Sequence, residues 1–425
     1  MTLGESDSQL RYLLRAQPPF LMNTESNTAP DDLILVLNCG SSSIKFALFE
    51  TAKLHVSRAP AWKGQIREIM SAAQVLEEDS HAAVLLPAGG TQPYHSALER
   101  IRERVSMQLA GRRLRAVAHR VVHGGGRYSA PVRIDAVVLR DLRGLIPLAP
   151  LHQPFALEAI EILLDLSDLP QIACFDTGFH QDLPPEEQML PLPWVAWQRG
   201  VRRYGFHGLS YEYLASVLPE RHGSLAWSRV IAAHLGNGAS LCAIRDLRSV
   251  GTTMGFSALD GLMMGTRCGT LDPGAVIYLM EVEKWSLERV SHALYHESGL
   301  LGISGISADP RVLLQHEHRD DEVGERVRAA LKLYVRRLLR EIGALVAVLG
   351  GVDLLVFTAG IGEHNTEIRR RICAELAWLG VRLDEPANIA SQPIISTPNS
   401  RVTVAVEPTN EEWIAARHAA ALLST

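Results

Sequence analysis

The chain lacks the marks of membrane, nucleic-acid-binding and disulfide-framework proteins. No uninterrupted apolar run approaches the roughly 18 residues of a membrane span, since the longest candidate, residues 342–357, is broken by Gly350, Gly351 and Asp353. The formal net charge is -5, without the basic excess that a nucleic-acid-binding protein normally carries. The 5 cysteines are scattered and never form a C-x-x-C pair. That usage disfavours a structural zinc site and predicts a reducing, cytoplasmic compartment.

The composition that remains is that of an ordinary globular protein. The 425 residues, of which 47% are hydrophobic and 21% are charged, are enough for two or three domains with sizeable cores. Residues 1–32 show no signal-peptide pattern, because Arg11 and Arg15 alternate with acids and prolines instead of preceding an apolar core. We expect this stretch to be a poorly ordered extension, and Met22 is a candidate for the true start of the chain.

The most informative stretch is residues 33–49, LILVLNCGSSSIKFALF. Two apolar, strand-like runs flank a short Gly/Ser turn and therefore predict a β-hairpin. The turn offers backbone N–H groups, hydroxyls, the amide of Asn38 and the ammonium of Lys45, and such a set of donors suits a phosphate or a magnesium phosphate. A P-loop or a dinucleotide fingerprint would instead open a helix. A turn that merely connects two strands is the alternative.

Residues 230–244, VIAAHLGNGASLCAI, repeat this pattern of apolar run, glycine turn and apolar run. Aligning Gly236 with Gly40 gives an offset of 196 residues, close to half the chain. A repeat on that scale predicts two related α/β domains that face each other across a cleft, each contributing a phosphate-binding hairpin. Chance similarity between two glycine turns is the alternative.

Strand and helix patterns alternate along the rest of the chain, as is typical of α/β layers. The patterns predict strands over 116–122, 172–175 and 353–357, and helices over 154–166, over 320–349 and from about residue 411. Gly350 and Gly351 end the long helix.

A third glycine-rich piece, residues 358–363 (TAGIGE), lies between a predicted strand and a predicted helix. Its glycines allow a ligand to approach the backbone closely, and a helix N-terminus favours anionic groups, which suits the nucleotide end of a ligand. A plain connection between strand and helix is the alternative, because a lone GxG is weak evidence.

Two arginines lie beside glycines and are candidates for binding a phosphoryl group. Arg120 precedes three consecutive glycines, and Arg267 lies within MGTRCG. An arginine that projects from a strand end or a tight loop can bind a phosphoryl group through two parallel hydrogen bonds, whereas a surface salt bridge is the alternative. His119 and His123 have the spacing of metal ligands on a helix, but their segment is predicted to be a strand, so we interpret them as hydrogen-bonded structural residues.

Further polar candidates lie at the ends of predicted elements. Asp176 follows a short buried strand, which is where α/β folds place catalytic groups and metal ligands. His207 is flanked by glycines in YGFHG, and Glu411 begins the last helix. An electrostatic contact with the helix dipole is the alternative for Glu411. A turn with an ion pair and no further role is the alternative for residues 309–311 (DPR).

Taken together, these motifs resemble those of the acetate kinases, the acetokinase family. They occur in the family's order from about residue 33 to the C-terminus: NCGSSSIK at 38–45, HRVVHGG at 119–125, DTGFH at 176–180, YGFHG at 204–208, HLGNG at 234–238, MGTRCG at 264–269, TAGIGE at 358–363 and PTNE at 408–411. No single motif is diagnostic, but the set is highly specific.

The resemblance implies an α/β fold of duplicated ribonuclease H-like domains around a central cleft, as in sugar kinases, Hsp70 and actin. It implies reversible transfer of the γ-phosphoryl group of ATP to acetate, giving acetyl phosphate and ADP, with Mg²⁺ or Mn²⁺ as cofactor. It also implies a homodimer with no nucleic-acid or membrane partner. We expect an N-terminal domain of residues 33–177 completed by a C-terminal helix at 412–425, and a nucleotide-binding domain of residues 178–411.

The resemblance also assigns roles to single residues. The catalytic residues that it implies are Asp176, Arg120, Arg267, His207 and His152. The metal ligands that it implies are Asn38 and Glu411. The phosphate and nucleotide contacts that it implies are Lys45, Ser41, Ser43, His234, Leu235, Gly236, Asn237, Gly238, Asp309, Pro310, Arg311, Gly360, Ile361, Gly362, Glu363 and His364.

A small apolar pocket is expected to set the size of the acid substrate. The resemblance implies that Val122, Leu151 and Phe206 bind the methyl group together with Arg120, and that Ala258 stands where the family usually has proline. A smaller wall predicts that propionate is admitted, although one methylene is worth only about 1–3 kcal/mol in such a pocket. A propionate or butyrate kinase of the same superfamily is therefore the nearest alternative, and an ATPase switch without transfer is a more distant one.

Overall fold

The computed structural model describes residues 32–40, 42–52, 55–71, 73–79, 83–87, 92–150, 152–166 and 169–424. The predicted extension before residue 32 lies outside the described residues, and so do Ser41 of the first turn and Leu151 of the expected pocket.

Within these ranges the chain alternates strands and helices. The strands are β1 Asp32–Cys39, β2 Ser43–Ala52, β3 His55–Val56, β4 Trp62–Arg67, β5 Ala73–Glu78, β6 Val84–Pro87, β7 Leu114–Val121, β8 Val132–Arg133, β9 Gln171–Phe175, β10 Val230–Leu235, β11 Ala239–Arg245, β12 Arg248–Thr252, β13 Leu354–Thr358 and β14 Thr403–Val406. The helices are α1 Pro93–Gln108, α2 Ala136–Gly144, α3 Gln153–Leu166, α4 Pro185–Gln188, α5 Trp194–Gln198, α6 Gly208–His222, α7 Pro273–Glu281, α8 Leu287–His296, α9 Gly299–Ser304, α10 Pro310–His316, α11 Glu322–Leu349, α12 Ala359–His364, α13 Thr366–Glu375, α14 Glu385–Ile389 and α15 Glu411–Leu423. Short 3₁₀ turns lie at Ile146–Leu148, Gly178–His180, Gly223–Trp227 and Ala377–Leu379.

The strands form two sheets with a common core order. The first sheet has the order β6-β5-β4-β2-β1-β7-β9-β8, and the second has the order β12-β11-β10-β13-β14. In each sheet an antiparallel hairpin, β1–β2 or β10–β11, is extended by an antiparallel strand on one side and by two parallel strands on the other. The predicted duplication of an α/β unit around two hairpins is therefore confirmed.

The two hairpin turns differ in length by one residue. The first turn comprises residues 40–43, between the paired ends Cys39 and Ile44, whereas the second comprises residues 236–238. In the first hairpin Lys45 is paired with Asn38, and in the second Ser240 is paired with His234, so Lys45 and Ser240 occupy equivalent positions. The predicted alignment of the two hairpins, which has no gap and an offset of 196 residues, is correct before the turn. After the turn it is wrong by one residue, because it aligns Lys45 with Leu241 instead of Ser240.

The central strands are buried on both faces because helices cover the sheets. β1 reads as a nearly continuous apolar run, and so does β10, which is the composition expected of strands with two covered faces. On one face of the second sheet, α11 packs its apolar stripe, which includes Leu331, Leu338 and Ile342. This helix was predicted over residues 320–349. Asp321 caps its start, and Gly350, with a φ of 70°, ends it.

Helices α6 and α15 lie between the two sheets. They contribute to one hydrophobic cluster that also contains Val36 and Ala118 from the first sheet and Ala232 and Val356 from the second. At the edge of this cluster the indole N–H of Trp413 donates to the carbonyl of Val56 at 3.1 Å. The C-terminal helix predicted from residue 411 thus ties the end of the chain to the first sheet.

In the part of the chain that the structure describes, no helix is both long enough and apolar enough to cross a lipid bilayer. The described cysteines, which are all five of the chain, carry free thiols.

Candidate functional site

The first sheet brings three predicted polar residues together at the carboxyl ends of adjacent strands. Asn38 is near the end of β1, Arg120 is near the end of β7, and Asp176 directly follows β9. Arg120 Nε donates to Asp176 Oδ1 at 2.9 Å, and Arg120 Nη2 donates to Asp176 Oδ2 at 2.6 Å. The remaining Nη1 donates to Asn38 Oδ1 at 3.2 Å. The pair is bidentate, so the guanidinium is fixed in orientation as well as in position.

Glu411 joins this cluster from the start of α15. Its Oε2 lies 3.5 Å from Arg120 Nε, and Asn410 caps the helix by accepting from the N–H of Trp413. Burial, reinforced by the charge of Asp176 and opposed by that of Arg120, raises the pKa of Glu411 to about 7. One arginine thus serves two carboxylates.

The chemistry of this donor set fits a hard divalent cation. Asn38, Asp176 and Glu411 present amide and carboxylate oxygens, which Mg²⁺ prefers. Among the described residues, no group of three or more His, Cys, Asp or Glu side chains could hold a metal by itself. Mg²⁺ commonly takes only one or two carboxylates together with substrate phosphates and water.

Arg267 is the second predicted arginine, and its surroundings are the opposite of those of Arg120. Its Nη1 donates to the carbonyl of Ala258 at 3.0 Å, and its Nη2 lies 3.3 Å from His152 Nε2. Within the described ranges, no carboxylate lies at ion-pair distance from this guanidinium. Burial therefore lowers its pKa, and the charge of Arg120 lowers it further. Arg267 is thus a half-buried cation without a carboxylate partner among the described residues.

His207 enters the site from the residue before α6. Its backbone is left-handed, with a φ of 58°, and Gly208 N donates to the carbonyl of Asp176 at 2.7 Å, which ties the start of the helix to the first sheet. The imidazole stacks on that of His234, with ring centroids 4.1 Å apart. A methyl group at Gly238 would lie 3.0 Å from His207 Nε2, so the second glycine turn runs next to this nitrogen of the imidazole.

The three histidines of the site are held uncharged. Burial, with Arg267 and then Arg120 adding to it, lowers the pKa of His152 to about 3. Burial and Arg120 lower the pKa of His234 to about 3, and burial with His234 holds the pKa of His207 well below its usual range. At neutral pH these side chains are hydrogen-bonding groups, whereas the positive charge of the site comes from its arginines.

The other histidines of the motifs have structural contacts. His119 Nε2 lies 2.7 Å from Gln171 Oε1, and the N–H of Gly125 donates to His123 Nδ1 at 2.8 Å. The prediction that both are hydrogen-bonded structural residues is confirmed, but only His119 lies on the strand, because β7 ends at Val121 and His123 follows it.

The apolar residues expected to bind a methyl group share one cluster. Phe206 is buried in it, and Val122 and Ala258 pack against it. The carbonyl of Ala258 is also the acceptor for Arg267, so this apolar wall and the unpaired guanidinium lie side by side.

The first hairpin turn brings Lys45 of β2 next to Asn38 of β1. The carbonyl of Ser43 accepts from Gly40 N at 2.8 Å and closes the turn. Lys45 is exposed and lies directly opposite Asn38 in the ladder, so both side chains are on one face of the sheet.

Residues 309–311 form a local turn in which the ion pair of the alternative interpretation is present. Asp309 caps α10, with Pro310 as its first residue, and accepts from Arg311 Nη2 at 2.6 Å. The turn lies next to the glycine loops. A methyl group at Gly265 would contact both the carbonyl oxygen of Ala308 and Asn237 Oδ1, so the three residues are neighbours.

The glycine-rich piece after β13 is itself the short helix α12. Ala359 begins it with a φ of 64°, and Glu363 Oε1 accepts from Ala359 N at 2.8 Å and from Thr409 N at 3.2 Å. Gly360 and Ile361 thus lie in a helical turn, Gly362 is buried, and His364 is exposed at its end.

Two groups of supporting residues were not predicted. Ser240 Oγ lies 2.8 Å from His207 Nδ1, and Ser210 Oγ lies 2.9 Å from His234 Nδ1. Arg369 is fully buried and donates to the carbonyls of Gly362 and Glu363 at 2.8 and 2.7 Å. Its position one and three residues from the apolar Ile368 and Ile372 was the available signal, but three consecutive arginines suggest a solvated face.

Comparison with known proteins gives a consistent result. The model of a family described as "Acetokinase family" matches residues 33–417. An acetate kinase of Rhodopseudomonas palustris is 48% identical over 395 residues, which cover 91% of this chain and 97% of that protein. A propionate kinase structure from Francisella tularensis superposes with a TM-score of 0.83 at 34% identity, covering 91% of this chain and 98% of that one. An acetate kinase structure from Porphyromonas gingivalis has a TM-score of 0.77 at 34% identity, with the same coverage.

Proposed function

The chain belongs to the acetokinase family, and from this premise we propose that it catalyses the reversible transfer of the γ-phosphoryl group of ATP to acetate. The products are acetyl phosphate and ADP. An oxygen of the acetate carboxylate attacks the γ-phosphorus, and the bond from that phosphorus to the oxygen bridging it to the β-phosphorus breaks. A carboxylate is already ionised at pH 7, so the reaction needs positioning and charge stabilisation and no strong general base.

The observation that carries this proposal is the contrast between the two half-buried arginines. Arg120 is neutralised by Asp176, whereas Arg267 has no carboxylate partner in the described chain and lies beside the apolar wall at Ala258. Arg267 lies 3.3 Å from His152 Nε2, Arg267 and His207 both border Gly238, and the charge of Arg120 lowers the pKa of both imidazoles, so we infer that the four side chains surround a common space. Such a space suits a small anion with an apolar tail together with a phosphoryl group.

In this proposal Arg267 and Arg120 stabilise the charge on the oxygens of the transferring group and align the acetate carboxylate. His207 and His152 donate or accept hydrogen bonds at the same group without carrying charge. Asn38, Asp176 and Glu411 would hold Mg²⁺ or Mn²⁺, which when bound supplies positive charge to the β- and γ-phosphates. The remaining phosphate and nucleotide contacts are assigned to Ser43, Lys45, His234, Leu235, Gly236, Asn237, Gly238, Asp309, Pro310, Arg311, Gly360, Ile361, Gly362, Glu363 and His364.

Trapping of acyl phosphate by hydroxylamine, with Mg-ATP and acetate, tests the reaction directly. We expect acetohydroxamate to form in proportion to ADP, and the reverse reaction to make ATP from acetyl phosphate and ADP. Release of ADP and inorganic phosphate without hydroxamate would instead show an ATPase switch, and would overturn the proposal.

A second candidate substrate is propionate, because the wall next to Arg267 is Ala258. The same assay with acetate, propionate and butyrate gives the ratio of kcat/KM values. We expect propionate to be used with a modest penalty, and Ala258→Pro to shift the ratio toward acetate by about 10-fold or more, since one methylene is worth about 1–3 kcal/mol. An unchanged ratio in Ala258→Pro would remove this residue from the pocket.

We also propose that the protein is cytoplasmic, that it has the domain boundaries given above, and that it forms a homodimer. The homodimer is supported by α7, an apolar helix with no buried residue, on which Ile277 and Tyr278 are about half exposed. A second copy would cover this face, and light scattering of Ile277→Asp and Tyr278→Asp variants tests it. We expect the wild type to have twice the mass of the chain and the variants to shift toward the monomer.

A further inference from the structure

A line of hydrogen bonds reaches His207 from within the second half of the molecule. His207 Nδ1 lies 2.8 Å from Ser240 Oγ, which in turn lies 2.6 Å from the hydroxyl of Tyr211. Tyr211 is one helical turn beyond His207 in α6, and Ser240 comes from β11. All three side chains are buried. The proposed reaction uses His207 and leaves the other two without a role.

The second ring nitrogen of His207 faces the opposite way. A methyl group at Gly238 would lie 3.0 Å from His207 Nε2 and 3.7 Å from Arg267 Nη1, so the imidazole and the guanidinium border the same glycine. Among the described residues Nε2 makes no hydrogen bond, so it is the nitrogen that can meet a ligand. Whether it meets that ligand as a donor or as an acceptor depends on which nitrogen carries the ring hydrogen.

The directions of the hydrogen bonds decide which ring nitrogen of His207 carries the hydrogen. In the described chain the hydroxyl of the fully buried Tyr211 has one hydrogen-bond partner, Ser240 Oγ, so it must give its own hydrogen to that oxygen. Ser240 then has its own hydrogen left for His207 Nδ1. In the reverse order the buried Tyr211 hydrogen would have no acceptor in the described chain, and a buried donor without an acceptor is costly.

We propose that Tyr211 and Ser240 are positioning residues that hold His207 in the neutral tautomer with its hydrogen on Nε2. The imidazole then donates to an oxygen of the transferring phosphoryl group beside Arg267. A neutral donor fixed in advance stabilises developing charge without waiting for protonation, which suits a ring in so desolvated a position. The donor role rests on the proposed phosphoryl transfer, whereas the tautomer is a property of the resting protein.

The tautomer is measured by two-bond ¹H–¹⁵N spectra of protein labelled at histidine, with His207 assigned by its loss in His207→Gln. We expect the wild type to show a protonated Nε2 and an unprotonated Nδ1. In Ser240→Ala we expect this preference to weaken, because Nδ1 has lost its donor. Hydrogen on Nδ1 in the wild type would overturn the proposal, even in a fully active enzyme. Hydrogen on Nε2 in a protein that makes no acyl phosphate would instead overturn the phosphoryl role together with the proposed function.

Kinetics separate positioning from packing. We expect Ser240→Ala to lower kcat by about 10-fold or more, which is less than the roughly 10²–10³ for removal of a stabilising donor itself, with little change in either KM. Tyr211→Phe should lower kcat less, and adding it to Ser240→Ala should cost nothing further, because Tyr211 acts through Ser240. Tyr213→Phe, which removes a hydroxyl from a buried residue of the same helix, is the matched control and should leave kcat unchanged. Multiplicative losses in the double variant would overturn the relay.

Discussion

The two halves of the molecule have the same strand order but different chemistry at corresponding strand ends. In the first half, β1 and β7 end near Asn38 and Arg120. In the second, β10 and β13 end near His234 and Thr358, which are paired across the ladder. The strand ends of the first half therefore supply charged groups, whereas those of the second half supply uncharged hydrogen-bonding groups and a glycine turn, and the second half adds its charge, Arg267, from a loop. Duplication provided the frame, and each copy then specialised.

The largest expected effect breaks the charge of the site. We expect Arg267→Ala and Arg120→Ala each to lower kcat by about 10³–10⁵, as for an arginine that stabilises a transferring phosphoryl group, with the KM for ATP little changed. Steady-state kinetics by the hydroxamate assay measure this. Arg143→Ala, which removes a half-exposed arginine paired with Glu161, is the control and should behave as the wild type. Wild-type turnover in either test variant would remove that arginine from the mechanism.

The same two arginines should differ in their effect on stability. Arg120→Met leaves Asp176, with a side chain only 2% exposed, without its partner, and we expect a loss of about 3–5 kcal/mol in the free energy of unfolding. Arg267→Met removes a half-buried cation that has no carboxylate partner in the described chain, so stability should stay within about 1 kcal/mol or rise. Urea unfolding of the resting protein measures both values. Equal losses would contradict the distinction between a paired and an unpaired arginine.

A third experiment tests the support of the second half. Arg369 is fully buried and donates to the carbonyls of Gly362 and Glu363 and to Asn388 Oδ1. Because these bonds hold α12, we expect Arg369→Met to raise the KM for ATP about 10-fold while the KM for acetate changes little, and Arg369→Lys to recover part of the loss. Arg370→Met is the matched control, since Arg370 pairs with Glu367 near the surface. Equal rises in both KM values would indicate a general packing defect.

The smallest effect concerns the ion pair between the helices that join the halves. His418 Nε2 lies 2.7 Å from Glu212 Oε1; burial acts to lower the pKa of His418, but the charge of Glu212 outweighs it and raises the pKa to about 10. A raised pKa means that the stabilisation is complete below about pH 6.5 and is lost as the pH rises through about 10. The contribution should be about 1–2 kcal/mol, because water screens the partly exposed Glu212.

Unfolding of wild type and His418→Gln at pH 6.5, 8 and 10 tests this dependence. The difference in the free energy of unfolding between the two proteins should shrink as the pH rises. A difference that grows with pH would show that His418 is neutral in the folded protein.

The fold and much of the site could be predicted because their signals are local. A glycine turn between two apolar runs is visible in a short window, so both hairpins were predicted. The one-residue difference between the turns was missed because an ungapped comparison has no means to register it. Capping by Asn365 was likewise missed: it begins the predicted helix at Thr366, and the preceding glycine-rich piece, predicted as a connection, is a separate short helix.

Pairings across long separations could not be predicted from these patterns. Asp176 and Glu407 are both buried acids that follow a parallel strand. Asp176 pairs with Arg120 in the site, whereas Glu407 bonds to Arg221 and His222 at the end of α6. Nothing in the neighbouring sequence separates these two outcomes, because the partner in each case is brought by the tertiary fold. Tyr211 and Ser240 were missed for the same reason.

The cluster that α6 and α15 share with both sheets determines how the two halves unfold. Val36 from one sheet and Val356 from the other belong to the same apolar interior. A chain cut between the halves would leave each fragment with a large apolar surface facing water, so neither half is expected to be stable on its own. Loss of one half must bring down the other, and we expect a single calorimetric transition.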